Sequence, residues 1–297
     1  MTPRRVAITG ASGFLGGTLA AALRGDGVEV VTIGRGARSD VWWDPAAGRL
    51  DAGRLAGADA VIHLAGATIG RRWTRARKRE IRESRTLGTR LLAQTIARLA
   101  PVPRVLVSAS AIGYYGDRGD EWLTEESTPG DDFLAEVTRE WERAADPARA
   151  AGVRVVHVRT GLVLSPSGGA LPRLLPAFRL GLGGPLAHGR QWMSWIALGD
   201  LVRAFRVALD SGLLAGAVNV VSPSPVTNAE FTATLARVLR RPAFVPVPAF
   251  ALRALFGEMA DATLLASQRV RPARLLQAGF AFEHPTLDGA LRHVLGR

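Results

Sequence analysis

The chain of 297 residues reads as an α/β protein with a doubly wound parallel sheet, followed by a smaller, mostly helical C-terminal lobe. Three observations predict this. Residues 4–16 run from a short apolar strand straight into Gly-x-x-Gly-x-x-Gly, after which a helical pattern and a second apolar strand follow. Near-continuous apolar strands then alternate with helical patterns up to Thr160, as expected of a parallel sheet covered on both faces. Beyond Pro223 the pattern is helical, with proline-rich joints at 242–248 that end one helix and start the next.

In the first element, Val6, Ala7 and Ile8 form the strand, and Gly10, Gly13 and Gly16 punctuate the loop. Without Cβ atoms the backbone turns tightly, comes close to a pyrophosphate and lets the next helix pack on the sheet. The first amides of that helix, together with its dipole, then face an anion. Leu15, Leu19, Ala22 and Leu23 carry the helical period, and 28–33 is the second strand. A tight turn alone accounts for the glycines but not for the order strand, loop, helix, strand; that order is Rossmann-type and predicts a dinucleotide cofactor. Where the second strand ends, an acid would accept hydrogen bonds from the ribose 2′-hydroxyl of NAD. This chain has Gly34-Arg35-Gly36 and then Arg38 instead, so Arg35 is expected to meet the 2′-phosphate of NADP(H).

Further strands are predicted at 40–43, 59–64, 104–108 and 153–158, with a long basic-faced helix at 74–99 and another at 132–151. Loops at 165–169 and 181–185 flank a helix at 171–180, and short strands at 195–196 and 216–221 flank a helix at 200–210. The expected division is an NADP-binding domain over 1–165, completed by 195–222, and a smaller lobe from 166–194 and 223–297 that closes over the cofactor.

Composition narrows the function. Hydrophobic residues make up 47% and charged residues 22%, as in an ordinary globular protein. No apolar run reaches the roughly 18 residues needed to span a bilayer, and no apolar signal region precedes the first strand. A cytoplasmic protein with no membrane partner is expected. There is no cysteine, and the five histidines are scattered, so no metal site is expected. The charge of +12 is distributed along the chain, and of the 38 basic residues only Lys78 is a lysine. With no recognisable nucleic-acid module, no nucleic-acid partner is expected, although a positive field favours phosphorylated ligands.

The segments 9–16, 59–66, 108–116, 159–163 and 195–200 resemble the extended short-chain dehydrogenase/reductase superfamily, its nucleotide-sugar epimerase and dehydratase group. Ser110-Ala111-Ile112-Gly113-Tyr114-Tyr115-Gly116, the segment 178–185 and Asn228-Ala229-Glu230-Phe231 are similar to its atypical branch, the "epimerase family proteins". The resemblance covers nearly the whole chain. It implies an NADP(H)-dependent epimerase or oxidoreductase acting on a small, sugar- or nucleotide-like substrate. It also implies cofactor contacts at Ser12, Phe14, Leu15, Arg35, Leu64, Ala65 and Gly66, and points to Glu80, Arg85 and Leu162. For Glu80 and Arg85 a solvated helix face, and for Leu162 core packing, are the competing readings.

The chain departs from the superfamily at its acid/base pair, Tyr-x-x-x-Lys. The two tyrosines are Tyr114 and Tyr115, with Arg118 and Gly119 four residues beyond, and the segment where the motif falls carries Phe133. A phenyl ring has no proton to give. Ser110, matching the superfamily serine that binds the reacting oxygen, and Tyr114 are the catalytic candidates, and Arg118 is the nearest cation in sequence. His188, Trp192 and Trp195 are candidates for the opposite wall. A non-catalytic NADPH-binding protein is the alternative reading. A monomer or a homodimer is open, and the arginines along 75–85 favour a monomer.

Overall fold

Val6, Ala7 and Ile8 are fully buried because β1 (Arg5–Thr9) is an inner strand of the sheet, with a parallel neighbour on each side. A computed structural model describes residues 4–297. After β1 come α1 (Phe14–Gly25), β2 (Glu29–Gly34), β3 (Val41–Asp44), β4 (Arg49–Leu50), α2 (Ala52–Leu55) and β5 (Ala60–His63). Then follow α3 (Arg75–Ile96), β6 (Val105–Ala111), β7 (Trp122–Leu123), α4 (Phe133–Arg143), α5 (Asp146–Ala150) and β8 (Arg154–Thr160). The remainder is β9 (Leu162–Leu164), α6 (Leu171–Arg179), β10 (Trp192–Met193), β11 (Trp195–Ala197), α7 (Leu198–Asp210), β12 (Gly216–Val220), β13 (Val226–Thr227), α8 (Asn228–Leu239), α9 (Ala249–Phe256), β14 (Arg269–Val270), α10 (Ala273–Gln277) and α11 (Leu287–Leu295).

The large sheet has 8 strands in the order β12-β8-β6-β5-β1-β2-β3-β4, parallel throughout except for the β3–β4 pair. Alternation along each strand sends side chains to two cores. On one face Val6, Ile8, Ile62, Val107 and Val158 meet Leu19 and Leu23 of α1 and Leu201 and Phe205 of α7. On the other, Ala7, Val31, Val61, Leu106 and Val155 meet Leu92, Ala93 and Ile96 of α3 and Ala148 of α5. Each fully buried aliphatic side chain contributes about 1.5–3 kcal/mol, which holds the strand ends, and with them the loops of the carboxyl edge, in fixed register.

A third core joins α6, α8 and α11 through Leu175, Phe178, Phe231, Leu235 and Leu291, with Trp195 fully buried among them. Helix α8 opens with a capping box in which Thr227 and Glu230 satisfy each other's amides. The helix expected over 132–151 is two helices, because Pro147 has no amide hydrogen and is accommodated in the first turn of a new one. Asp132 caps the first of them, its carboxylate accepting from the Ala135 amide at 2.8 Å.

Candidate functional site

The glycine loop is held by its own backbone. Gly10 adopts φ +69°, and the Gly13 amide donates to the Gly10 carbonyl at 2.9 Å. A Cβ on Gly16 would lie 2.1 Å from the Gly10 carbonyl oxygen, so the first turn of α1 reaches the loop only as glycine. Beside it, the Thr9 hydroxyl accepts from the amides of Leu64 (3.0 Å) and Ala65 (3.2 Å) and lies 2.8 Å from His63 Nδ1. Having accepted twice, Thr9 donates its own proton to Nδ1, which leaves the proton of the ring on Nε2, 2.8 Å from Thr89 Oγ1. Burial pushes the His63 imidazole down to about 4, consistent with a neutral ring. This chain of bonds ties the loop after β5 to the loop after β1.

Between these loops and the end of β2 lies a cleft of about 840 Å³. Of the residues singled out in the sequence, Gly10, Ser12, Gly13, Arg35, Leu64, Ala65, Gly66 and Glu80 line it together. Arg38, Trp43, Asp44, Glu83 and Ser84 complete much of the wall. The Arg35 and Arg38 side chains are exposed, and among the described residues neither has an ion pair or hydrogen bond. Glu80 is held by Arg77 Nη1 at 2.5 Å.

The other predicted contacts lie around the cleft, not on its surface. Gly16 is buried beneath the loop, and Leu15 packs against the core under the sheet. The Phe14 ring stacks against Gly168, where an added Cβ would fall 2.3 Å from it. Arg85 is half-buried, bonded to the Ala67 and Ile81 carbonyls at 3.1 and 3.0 Å, with its guanidinium 5.1 Å from the Trp141 ring. Burial, assisted by the Arg77 charge, lowers its pKa to about 10. Leu162 pairs with Trp195 across β9 and β11 and packs on the third core.

Ser110 and Tyr114 do not line the cleft; they stand farther along the carboxyl edge, where the chain builds a buried polar cluster. The strand register sets Ser110 of β6 beside Arg159 of β8, and Glu142 of α4 covers both. Ser110 Oγ donates to Glu142 Oε1 at 2.6 Å, and Arg159 grips the same carboxylate through Nε and Nη2, each at 2.8 Å. Burial pushes the Glu142 carboxyl up, but the hydrogen bonds and charge of Arg159 outweigh it and hold the group below its usual range. Burial opposes the Arg159 charge too, and its bonds to Glu142 more than restore it.

Arg159 Nη1 also donates to the Tyr115 hydroxyl at 3.1 Å, and that hydroxyl donates to Asn219 Oδ1 at 2.7 Å. Burial lifts the Tyr115 phenol to about 12 against the opposing pull of Arg159, so Tyr115 is a fixed strut at neutral pH. Tyr114 is different: half-buried, its ring face lies 3.4 Å from the Arg159 guanidinium carbon. The cation beside the tyrosines is therefore Arg159 and not Arg118, whose guanidinium is bound to Glu121 and Thr128. Since the one proton of Ser110 goes to an ionised carboxylate, its oxygen is left with acceptor capacity alone.

His188 is exposed, and Trp195 is fully buried with its indole N–H on the Ser224 carbonyl at 3.0 Å, so neither walls a polar cleft. Trp192 bonds Asp120 at 2.8 Å and stacks on Arg269. Among the described residues no group of three or more His, Cys, Asp or Glu could hold a metal ion. No helix of the described residues is long and apolar enough to cross a membrane.

The sequence model of the NAD dependent epimerase/dehydratase family matches residues 6–220. The chain belongs to that family. A domain of unknown function matches residues 247–294, the part of the chain that carries α9 to α11. Similar family members include an epimerase family protein of Mycobacterium tuberculosis, 44% identical over 296 residues and 98% of both chains. The human epimerase family protein SDR39U1, solved with NADPH, superimposes with a TM-score of 0.90 at 36% identity, over 99% of both chains. A protein of Corynebacterium glutamicum, described as a nucleoside-diphosphate sugar epimerase, gives 0.83 at 40% identity; the match covers 99% of this chain and 59% of that one.

Proposed function

We propose that this family member binds NADP(H) in the cleft and acts as an epimerase or oxidoreductase on a sugar- or nucleotide-like small molecule, without a Tyr-x-x-x-Lys pair. One observation carries the cofactor choice: Arg35 and Arg38, without a partner among the described residues, face the cleft where the second strand ends. The glycine cradle fits the pyrophosphate, since a Cβ on Gly10 would meet the backbone of Leu64 and Ala65 at 3.1 Å. The NADPH in the human SDR39U1 structure supports the same reading. In it, residues 1–165 with 195–222 form the cofactor-binding domain.

When bound, NADP(H) supplies or accepts a hydride. The protein's own part is to orient and to manage a proton. Leu64, Ala65 and Gly66 line the path of the dinucleotide, and Thr9, bonded to His63, holds the amides of the first two in place. Ser110 Oγ accepts from a substrate hydroxyl, Glu142 and Arg159 hold Ser110 in that state, and the Tyr114 hydroxyl serves as proton donor. A purely binding role is the second reading, favoured by the fact that Tyr115 is locked and the Ser110 proton is already held by Glu142.

Titration with NADPH and NADH, followed by the fluorescence of Trp43 in the cleft wall, tests the proposal. Saturable NADPH binding that weakens in Arg35→Asp is the expected result; no binding of either nucleotide refutes it. Hydride exchange in a carbonyl and alcohol screen then separates an enzyme from a binding protein.

A further inference from the structure

Away from the cleft, a cavity of about 450 Å³ is lined by Arg179, Leu239, Arg240, Arg241 and Arg297. Among the described residues, none of these four guanidiniums has an ion pair or a hydrogen bond. Such clustering of like charges in a stable surface calls for an anionic counterpart.

The same surface is apolar. The loop after α6 lies along the segment leading into α9: Val245 donates its amide to the Gly183 carbonyl at 3.0 Å, and Val247 to that of Pro185 at 2.9 Å. This brings Leu180 (75% exposed) and Leu182 (59%) to the side of Phe244 (75%), with Phe250 (74%) just beyond. These are protruding side chains, not the walls of a groove.

Residues 176–187 and 239–257 contain no Asp or Glu, and no Ser, Thr, Asn or Gln either. A protein or nucleic-acid interface of this size uses neutral hydrogen-bonding side chains as well as charges. Guanidinium and hydrocarbon alone match the boundary between anionic headgroups and acyl chains. We infer that this face docks on the surface of an anionic lipid membrane, with Arg179, Arg240, Arg241 and Arg297 at the headgroup phosphates and Leu180, Leu182, Phe244 and Phe250 entering the acyl boundary. The absence of a spanning helix does not bear on such attachment, which needs none.

The test is cosedimentation of the full chain with phosphatidylcholine vesicles, with and without phosphatidylserine. The chain should sediment only with the anionic vesicles. Arg240→Glu with Arg241→Glu should lower partition at least about tenfold, as expected from the electrostatic contribution of each basic residue at such a surface. Leu182→Ser with Phe244→Ser should lower it by about as much, through the lost apolar insertion. Arg75→Glu with Arg79→Glu makes the same charge change on an exposed face of α3 and should leave partition within about twofold.

Equal loss in the α3 variant would show diffuse attraction to a basic protein and overturn the proposal. So would an apolar variant that binds vesicles as the parent does, or duplex DNA bound more tightly than the vesicles. Thermal melting and the NADPH titration check that each variant is folded, and the apolar pair decides the matter if the arginine pair is not.

Discussion

Removing Arg159 should cost the protein more as pH rises, whereas removing Glu142 should cost the same wherever the parent carboxylate is ionised. The Arg159 and Glu142 side chains are only 4% and 13% exposed, and two 2.8 Å bonds join them. Taking one member from such a pair costs about 3–5 kcal/mol, mostly because the other is left buried and uncompensated. In Glu142→Gln the survivor is a guanidinium, which cannot shed its charge, so the full cost is expected at any pH where the parent has Glu142 ionised. In Arg159→Met the survivor is a carboxyl, which escapes by taking up a proton.

The signs follow. In the parent, the folded Glu142 pKa lies below its ordinary value of 4.5, so its contribution is present above that value and fades as pH falls through the folded pKa. In Arg159→Met, burial alone acts on Glu142 and raises its folded pKa above the unfolded one. That contribution is present at low pH and is lost as pH rises through the raised value. Urea unfolding from pH 4 to 7 should therefore show the deficit of Arg159→Met growing with pH. A deficit independent of pH, or one that shrinks toward pH 7, would refute the assignment of Glu142 as the ion that Arg159 holds.

Gly16→Ala should abolish NADPH binding and cost at least about 2 kcal/mol in urea unfolding, since its Cβ would sit 2.1 Å from a backbone oxygen that cannot swing away. Arg35→Asp should weaken NADPH about tenfold or more while sparing or improving NADH, read by calorimetry, because a carboxylate repels the 2′-phosphate and accepts from a 2′-hydroxyl. Thr9→Val should lose about 2–3 kcal/mol, since two amides and a buried imidazole lose one partner at once; unfolding that matches the parent would show water in its place. His157 is pushed down to about 4 chiefly by burial, so between pH 6.5 and 4 the unfolded chain takes up a proton the folded one refuses. His157→Leu should accordingly remove a loss of about 1.4 kcal/mol per pH unit over that window, seen as a flatter stability profile.

Where the sequence was legible, the signal was local. The glycine loop, its flanking strands and Arg35 lie within 5–35, and their order alone predicts the wall that the structure closes around. The polar cluster was not legible in the same way. Ser110 and Arg159 meet through strand register, and Glu142 reaches them from a helix, so no spacing in the chain announces the trio. Nothing local sets Glu142 apart from Glu136 and Glu140 of the same helix, which pair with Arg82 instead. Trp195 was a candidate for the cleft wall with packing as the competing reading, because aromatic side chains suit both pockets and cores; its pairing with Leu162 decides for the core. Pro147 was a visible break in the 132–151 helix, and weighing it would have divided the element correctly.

All of the residues that wall the cleft fall between Gly10 and Leu87, whereas Leu201 and Phe205, which cover one face of its supporting strands, come much later. A growing chain therefore releases its cleft residues first, on strands whose Val6, Ile8 and Ile62 have only α1 to cover that face until α7 arrives. At about 5–20 residues per second, α7 follows β6 out of the ribosome after an interval on the order of 5–20 s. In that interval the part of the sheet face that Leu201 and Phe205 later cover stays open to water, so the order of synthesis separates the making of the cleft wall from the sealing of the core behind it.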